Sequence, residues 1–147
     1  MKKILIILVI PIIFISCSDE LNLAPISTPS AASFLNTAAD VEVAVNASYD
    51  ALQQQGLYGE SINYLFEVRS DNSDESSRGG RGGIVSDIDL FAVMSSNAVL
   101  EATWEHAYLG IQRCNAVLNR IDAIDMDAST KSVRKGEVQF IRGLIYF

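Results

Sequence analysis

Apolar positions follow two rhythms along this chain. Ile4 to Ile15 form an unbroken apolar run, whereas from Val41 onward apolar residues return every three or four positions. Val41, Ala44, Val45, Tyr49 and Leu52 make the first such stripe, the signature of an amphipathic helix. Thr37 supplies an N-cap, and Asp40 three residues later gives a short-armed capping box, so a helix is expected over 38–55. Gly56 is expected to close it in the left-handed C-terminal position. Ser48 falls on the apolar side and is small enough for a close helix contact. Glu42, Asn46, Asp50 and Gln53 or Gln54 face water.

Leu57 to Val68 is rich in apolar and aromatic residues and predicts a short helix or turn on the first helix. Positions 69–98 read as a loop region, flexible by composition at Arg78-Gly79-Gly80-Arg81-Gly82-Gly83, with a short extended piece within Ile84 to Met94. A long helix is expected over 99–121, capped by Asn97. Leu100, Trp104, Ala107, Tyr108, Ile111, Asn115, Leu118 and Ile121 lie on one side of it. Asp122 to Thr130 is a polar link. A further helix starts near Ser132 and is still running at Phe147, with apolar content from Val133, Gly136, Val138, Phe140, Ile141, Leu144, Ile145 and Phe147.

These elements specify an all-α fold. Gly136-x3-Phe140-x2-Gly143 fits the second half of a tetratricopeptide repeat with Gly in place of Ala, whereas Trp104-x2-Ala107-Tyr108-x2-Ile111 keeps only the Trp of the first half. The pair is an irregular helical hairpin of the same physical kind, whose apolar faces need neighbours to stack on. Gly136 and Gly143 are expected at a helix crossing. A last helix ending on Ile-Tyr-Phe predicts a large exposed apolar face, so the sequence is read as the front part of a longer helical scaffold, an incomplete domain over 37–147.

The apolar run at the start has a different meaning. Lys2 and Lys3 precede it, and Ser16, Cys17, Ser18, Asp19 and Glu20 follow it. That is the layout of a secretory signal. The run is too short to span a bilayer, which needs roughly 20 apolar residues. Phe14-Ile15-Ser16-Cys17 fits a lipobox at its last positions, with Phe14 in place of the usual Leu or Val. Residues 1–16 are thus expected to be a lipoprotein signal, with Cys17 the lipidated new N-terminus. The alternative is an ordinary cleaved signal with an incidental cysteine. Residues 17–36 form the tether, kept extended by Pro25, Pro29 and their serines.

Charge narrows the partners. The 147 residues carry a net charge of −7, and both leader lysines lie in the part expected to be removed. An acidic chain lacks the basic patch that nucleic acid or an anionic membrane surface requires. The second cysteine, Cys114, has no partner once Cys17 is acylated, and is expected to be a small buried residue on a helix.

Several groups of residues resemble one family in order and spacing. They are Cys17 with Asp19-Glu20; Leu23-x-Pro25; Phe34-x2-Thr37-x2-Asp40-x-Glu42; Ala47-x-Tyr49-x2-Leu52; Glu67-x3-Asp71-Asn72; Trp104-x3-Tyr108-x2-Ile111-x3-Asn115-x2-Leu118; and Gly136-Glu137-x2-Phe140-Ile141-Arg142-Gly143-x2-Tyr146-Phe147. The chain resembles the N-terminal part of the SusD/RagB family of outer-membrane nutrient-binding lipoproteins. Gly143 and Val138 depart from the alanines usual in its last motif. The resemblance implies tetratricopeptide-like hairpins beneath a loop-rich binding part that lies largely beyond Phe147. It implies a lipid-anchored, outward-facing lid on a SusC-like TonB-dependent transporter, capturing glycans or other nutrients, with no catalysis and no cofactor. A lipid-anchored helical scaffold serving protein contacts alone is the alternative.

The chemistry-bearing residues offer little else. His106 is the only histidine, with no second ligand placed to share a metal, and reads as a structural or surface histidine rather than a ligand or base. Glu101 and Glu105 share one helix face rather than facing across a cleft, as acid and base must, and read as a solvated face. Asp71-Asn72-Ser73-Asp74-Glu75 fails the EF-hand spacing; a polar turn is the simpler reading, a loose oxygen site the other. No phosphate loop or nucleophile elbow occurs, and no catalytic or metal residues are assigned. Aromatic rings read sugars by stacking. Trp104 and Tyr108 are expected in the core, where Trp104→Ala would cost roughly 3–5 kcal/mol. Tyr58 and Tyr64, near loops, are the weak candidates for ligand contact.

Overall fold

In the computed structural model, residues 34–73, 75 and 82–147 are described. The leader, Cys17, most of the tether, Asp74 and Ser76 to Arg81 lie outside them. The regular elements of the described residues are all helical, with no strand among them, in agreement with the all-α expectation. Its helices are α1 (Ala38–Leu52), α2 (Ser61–Asn63), α3 (Gly82–Asp89), α4 (Ala98–Leu118) and α5 (Ala128–Tyr146). Wide π-type turns at Gln55–Gly59 and Tyr64–Val68 flank α2, and a 3-10 turn at Ile121–Ala123 leads toward α5. None of these helices is long and apolar enough to cross a membrane.

The helix starts follow the capping chemistry. Thr37 Oγ1 accepts from the Asp40 amide at 3.2 Å, and the Asp40 carboxylate accepts from the amides of Thr37 at 2.9 Å and Asn36 at 3.1 Å. Asn97 Oδ1 accepts from the Val99 amide at 2.9 Å, and Asn97 Nδ2 donates to the Ile84 carbonyl at 2.8 Å, tying α3 to α4. Asp127 caps α5 by accepting from the amide and hydroxyl of Thr130 at 2.8 and 2.9 Å. That cap starts α5 four residues before Ser132. Helix α4 stops at Leu118, and Ile121 lies in the following turn.

The core forms where α1, α4 and α5 meet. Val41 and Val45 from α1, Cys114 and Val117 from α4, Ile121, and Val138 and Ile141 from α5 are almost completely buried in one cluster, closed by Leu35 and Ile124. Each such aliphatic side chain contributes about 1.5–3 kcal/mol through burial. Ser48 is buried on α1 with its hydroxyl donating to the Ala44 carbonyl at 3.0 Å. Polar ties lie around this cluster. Arg113 on α4 donates to the Ala47 carbonyl at 2.8 Å and to Asp50 at 2.9 Å. Arg134 on α5 bridges Glu42 at 2.8 Å and Glu137 at 2.9 Å, and Arg142 donates to Asn115 Oδ1 at 2.8 Å.

Four expectations are corrected. Gly56 is not a left-handed cap. α1 ends at Leu52, and Gly56 is buried in the wide turn so close to α4 that a Cβ there would overlap the Ala102 carbonyl and the His106 ring. The glycine at the crossing of the long helices is Gly110. A Cβ there would stand 2.7 Å from Ile145 Cδ1 and 3.2 Å from Ala51 Cβ, whereas nothing lies within 4 Å of one on Gly136 or Gly143. Ile84 to Met94 holds no extended piece. Val85 and Ile88, one turn apart, are both buried, so helical spacing hides both where alternation would expose one. Finally, the residues of α4 that face the interior are Val99, Gly110, Ile111, Cys114 and Val117. Trp104 is 68% exposed and Tyr108 48% exposed. The small residues Gly110 and Cys114 let the neighbouring backbones approach, which turns the large rings outward.

α3 ends unusually. The Ala92 amide donates to the Asp87 carbonyl at 2.8 Å and the Phe91 amide to the Ile88 carbonyl at 3.2 Å, the Schellman pattern. This puts Phe91 at φ 55°, a region usually taken by glycine. The Arg69 guanidinium lies 4.7 Å over the Phe91 ring.

Candidate functional site

The outward rotation of α4 creates an aromatic surface. Trp104 and Tyr108 are one helical turn apart, with ring centroids 4.6 Å apart and planes tilted by 39°. On one side of Trp104 is an open cavity of about 800 Å³ lined by Ser95, Ser96, Leu100, Glu101 and Glu105. On the other is a groove of about 380 Å³ between α4 and the end of α5, lined by Leu100, Trp104, Tyr108, Ile111, Ile145 and Tyr146 among others. The lining of this groove is mainly apolar. The hydroxyl of Thr103, which also borders it, already donates to the Val99 carbonyl at 2.8 Å. Sequence reasoning placed both rings in the core, and only the interleaved Gly110 and Cys114 hinted that α4 would turn its smaller face inward.

Tyr58 also lies beside the C-terminal end of α5. It is exposed and shares an open groove of about 540 Å³ with Leu52, Gln53, Gly59 and Leu144. That groove continues past Leu144 into a cavity of about 360 Å³ walled by Leu57, Ile62, Phe66, Ile145 and Phe147. Tyr58, exposed, therefore stands at the edge of an apolar trough. Tyr64 differs. Its hydroxyl donates to Glu60 Oε1 at 2.8 Å, and Glu60 Oε2 accepts from Gln55 Nε2 at 2.6 Å. The Tyr64 phenol thus helps to fix the 55–64 turn. The segment after α1 packs more on α4 than on α1, because Gly56 allows its backbone to meet Ala102.

His106 is half-buried with Nδ1 2.8 Å from the Ala102 carbonyl, so Nδ1 is the donating nitrogen and the ring packs over Gly56. That is a structural role. Glu101 and Glu105 are exposed beside Trp104. Among the described residues no group of His, Cys, Asp and Glu is arranged to hold a metal ion. Cys114 is fully buried, as expected. Burial pushes its thiol up from the usual cysteine range, while a hydrogen bond with Ser48 opposes the shift.

The chain is similar to SusD-like protein P2 of Formosa agariphila, with 25% identity over 140 residues. The match covers 95% of this chain and 27% of that protein, so the chain spans about a quarter of its relative's length. No protein-family model matches, nor does any solved structure at a significant level. The relative's name agrees with the family resemblance read from the motifs.

Proposed function

We propose that this chain is the N-terminal helical part of a SusD-like outer-membrane lipoprotein. The protein is anchored through Cys17, faces outward, and binds a glycan or another nutrient for delivery to a SusC-like TonB-dependent transporter. The carrying observation is the match to a SusD-like protein along 95% of the chain, over an all-α framework. The basic, apolar, small-residue leader ending at Cys17 supports export and anchoring. In this reading residues 1–16 are removed and residues 17–36 act as the tether. No step of the role is catalytic, and it needs no cofactor.

Tyr58 is the better of the two aromatic candidates for ligand contact, since it is exposed beside an apolar trough. Tyr64 serves the turn that presents it. Most of the binding surface would belong to the part of the relative that has no counterpart here.

The anchor is tested by Cys17→Ser with membrane fractionation. Each acyl chain contributes about 0.8 kcal/mol per buried CH2, and stable anchoring takes two such signals. The variant is expected in the soluble fraction, the parent with outer membranes. A variant that stays with membranes would overturn the anchoring.

A further inference from the structure

A small pocket lies at the start of α4. Gln55, Glu60 and Ser61 supply its polar lining, and Ile84 of α3 with Val99 and Ala102 of α4 are among its apolar lining. The elements that form it are fastened together. Asn97 Nδ2 donates to the Ile84 carbonyl at 2.8 Å, and Gly56 sits against the Ala102 carbonyl. The pocket is therefore formed in advance of any occupant. Its volume is about 230 Å³. Pockets for drug-sized molecules run from roughly 300 to 1,000 Å³, so this one suits a small group.

Ser61 is the unusual member of the lining. It is only 4% exposed, yet among the described residues its hydroxyl has no hydrogen-bond partner. Other helix hydroxyls are satisfied within their own helices. Ser48 donates to the Ala44 carbonyl at 3.0 Å, and Thr103 to the Val99 carbonyl at 2.8 Å. A buried hydroxyl without a bond is costly, and one that borders a pocket can take its partner from an occupant. Beside it the Glu60 carboxylate is held in place, accepting from the Tyr64 hydroxyl at 2.8 Å and from Gln55 Nε2 at 2.6 Å. A carboxylate has room for further donors on its two oxygens, and the donating Gln55 amide keeps a carbonyl oxygen as another acceptor.

The polar lining is thus rich in acceptors, and the occupant must donate. An ammonium group has three donors and no acceptor, and its bond to a carboxylate is stronger than a neutral one. An aliphatic stem on that ammonium packs on apolar side chains while the head stays with polar ones. An anionic head would meet Glu60 with like charge. No aromatic ring is among the lining residues, so a sugar ring has nothing to stack on.

We infer that this pocket binds a primary ammonium group on a short aliphatic stem, the head held by Ser61 Oγ and the Glu60 carboxylate and the stem lying along Ile84, Val99 and Ala102. The inference deepens the nutrient-binding reading above and rests on it for the occupant being cargo. Lysine side chains of peptides and free alkylamines share this chemistry.

The test titrates the full-length protein, as its source encodes it, with pentylamine and with Nα-acetyl-lysine-N-methylamide. 1-Pentanol and glucose are the uncharged comparisons, and binding is read by calorimetry and saturation-transfer NMR. Both amines are expected to bind several-fold tighter than 1-pentanol, with saturation strongest on the stem methylenes. Ser61→Ala and Glu60→Gln should each weaken amine binding several-fold with the helical circular dichroism unchanged; if Ser61→Ala fails to fold, Glu60→Gln decides. Tighter binding of the lysine probe marks a peptide as the source, and tighter binding of pentylamine a free amine. Absence of amine binding would overturn the inference. So would 1-pentanol binding as tightly as pentylamine, glucose binding in place of the amines, or folded variants that bind amines as the parent does. Amine binding by a protein that recovers no TonB-dependent barrel from native membranes would leave the pocket standing and remove the delivery role instead.

Discussion

Gly56 lies against the backbone of α4 so closely that a Cβ on it would fall on the Ala102 carbonyl oxygen. A carbonyl held in a helix cannot yield as a side-chain tip can. Gly56→Ala is therefore expected to destabilise by about 1–3 kcal/mol, as overpacking does. Gly136→Ala, with open space around the new methyl, should stabilise by roughly 0.5–1 kcal/mol through helix propensity. Urea unfolding of the two variants checks both signs.

Trp104 and Ile141 exchange the importance their sizes suggest. Trp104 is exposed, and what it loses on truncation is mainly its contact with Tyr108, so Trp104→Ala in the 147-residue chain should cost about 0.5–1.5 kcal/mol. Ile141 is fully buried between α1 and α4, and Ile141→Ala should cost about 2–5 kcal/mol. Equilibrium denaturation decides the order.

Phe91 takes a left-handed backbone conformation at φ 55° that costs a residue with a Cβ about 1–2 kcal/mol. Arg69 over its ring returns about 0.5–1 kcal/mol of that at an exposed site. Phe91→Gly should accordingly raise the melting temperature, and Arg69→Ala should lower it slightly. A drop in stability for Phe91→Gly would contradict this.

Three aspartates tie stability to pH. The amide of Asn36, with the hydroxyl and amide of Thr37, holds Asp40 below the usual carboxylate range. The amide and hydroxyl of Thr130 do the same for Asp127, and the hydrogen bond and charge of Lys135 do so for Asp122. Because the folded values are depressed, their contribution is present above the ordinary aspartate pKa and is lost as pH falls through the folded values. Melting temperature should be flat near neutrality and fall in the acid range. Asp127→Ala should lower stability at neutral pH and flatten that acid limb.

The caps were the most legible part of the fold. Thr37 with Asp40, and Asn97, stand where the sequence put them, because a side-chain oxygen bonding an amide two or three residues on is a local event. The α1 stripe was legible through Val41, Ala44 and Val45, as was the burial of Ser48 and Cys114. The orientation of α4 was not. Its periodicity marks two adjoining apolar strips, and which strip turns inward depends on neighbours that periodicity does not contain. Glycine roles failed for the same reason. Gly56 and Gly110 matter through backbones brought together over long separations, whereas Gly136 and Gly143, in a recognisable motif, touch nothing. The helix at 82–89 was hidden by its glycines and short length. Of the candidate site, Tyr58 is exposed near a loop. The trough beside it, built from α1, the 55–68 segment and the end of α5, exists only in three dimensions.

The delivery role makes one demand that an independent scaffold would not. Gentle detergent extraction of native outer membranes, followed by pull-down on a tag placed at the C-terminus of the full-length protein, should recover a TonB-dependent barrel in stoichiometric amount. The Cys17→Ser form, released from the membrane, should recover far less. Full-length protein that is abundant in the outer membrane yet comes down without any such barrel would contradict the proposed function.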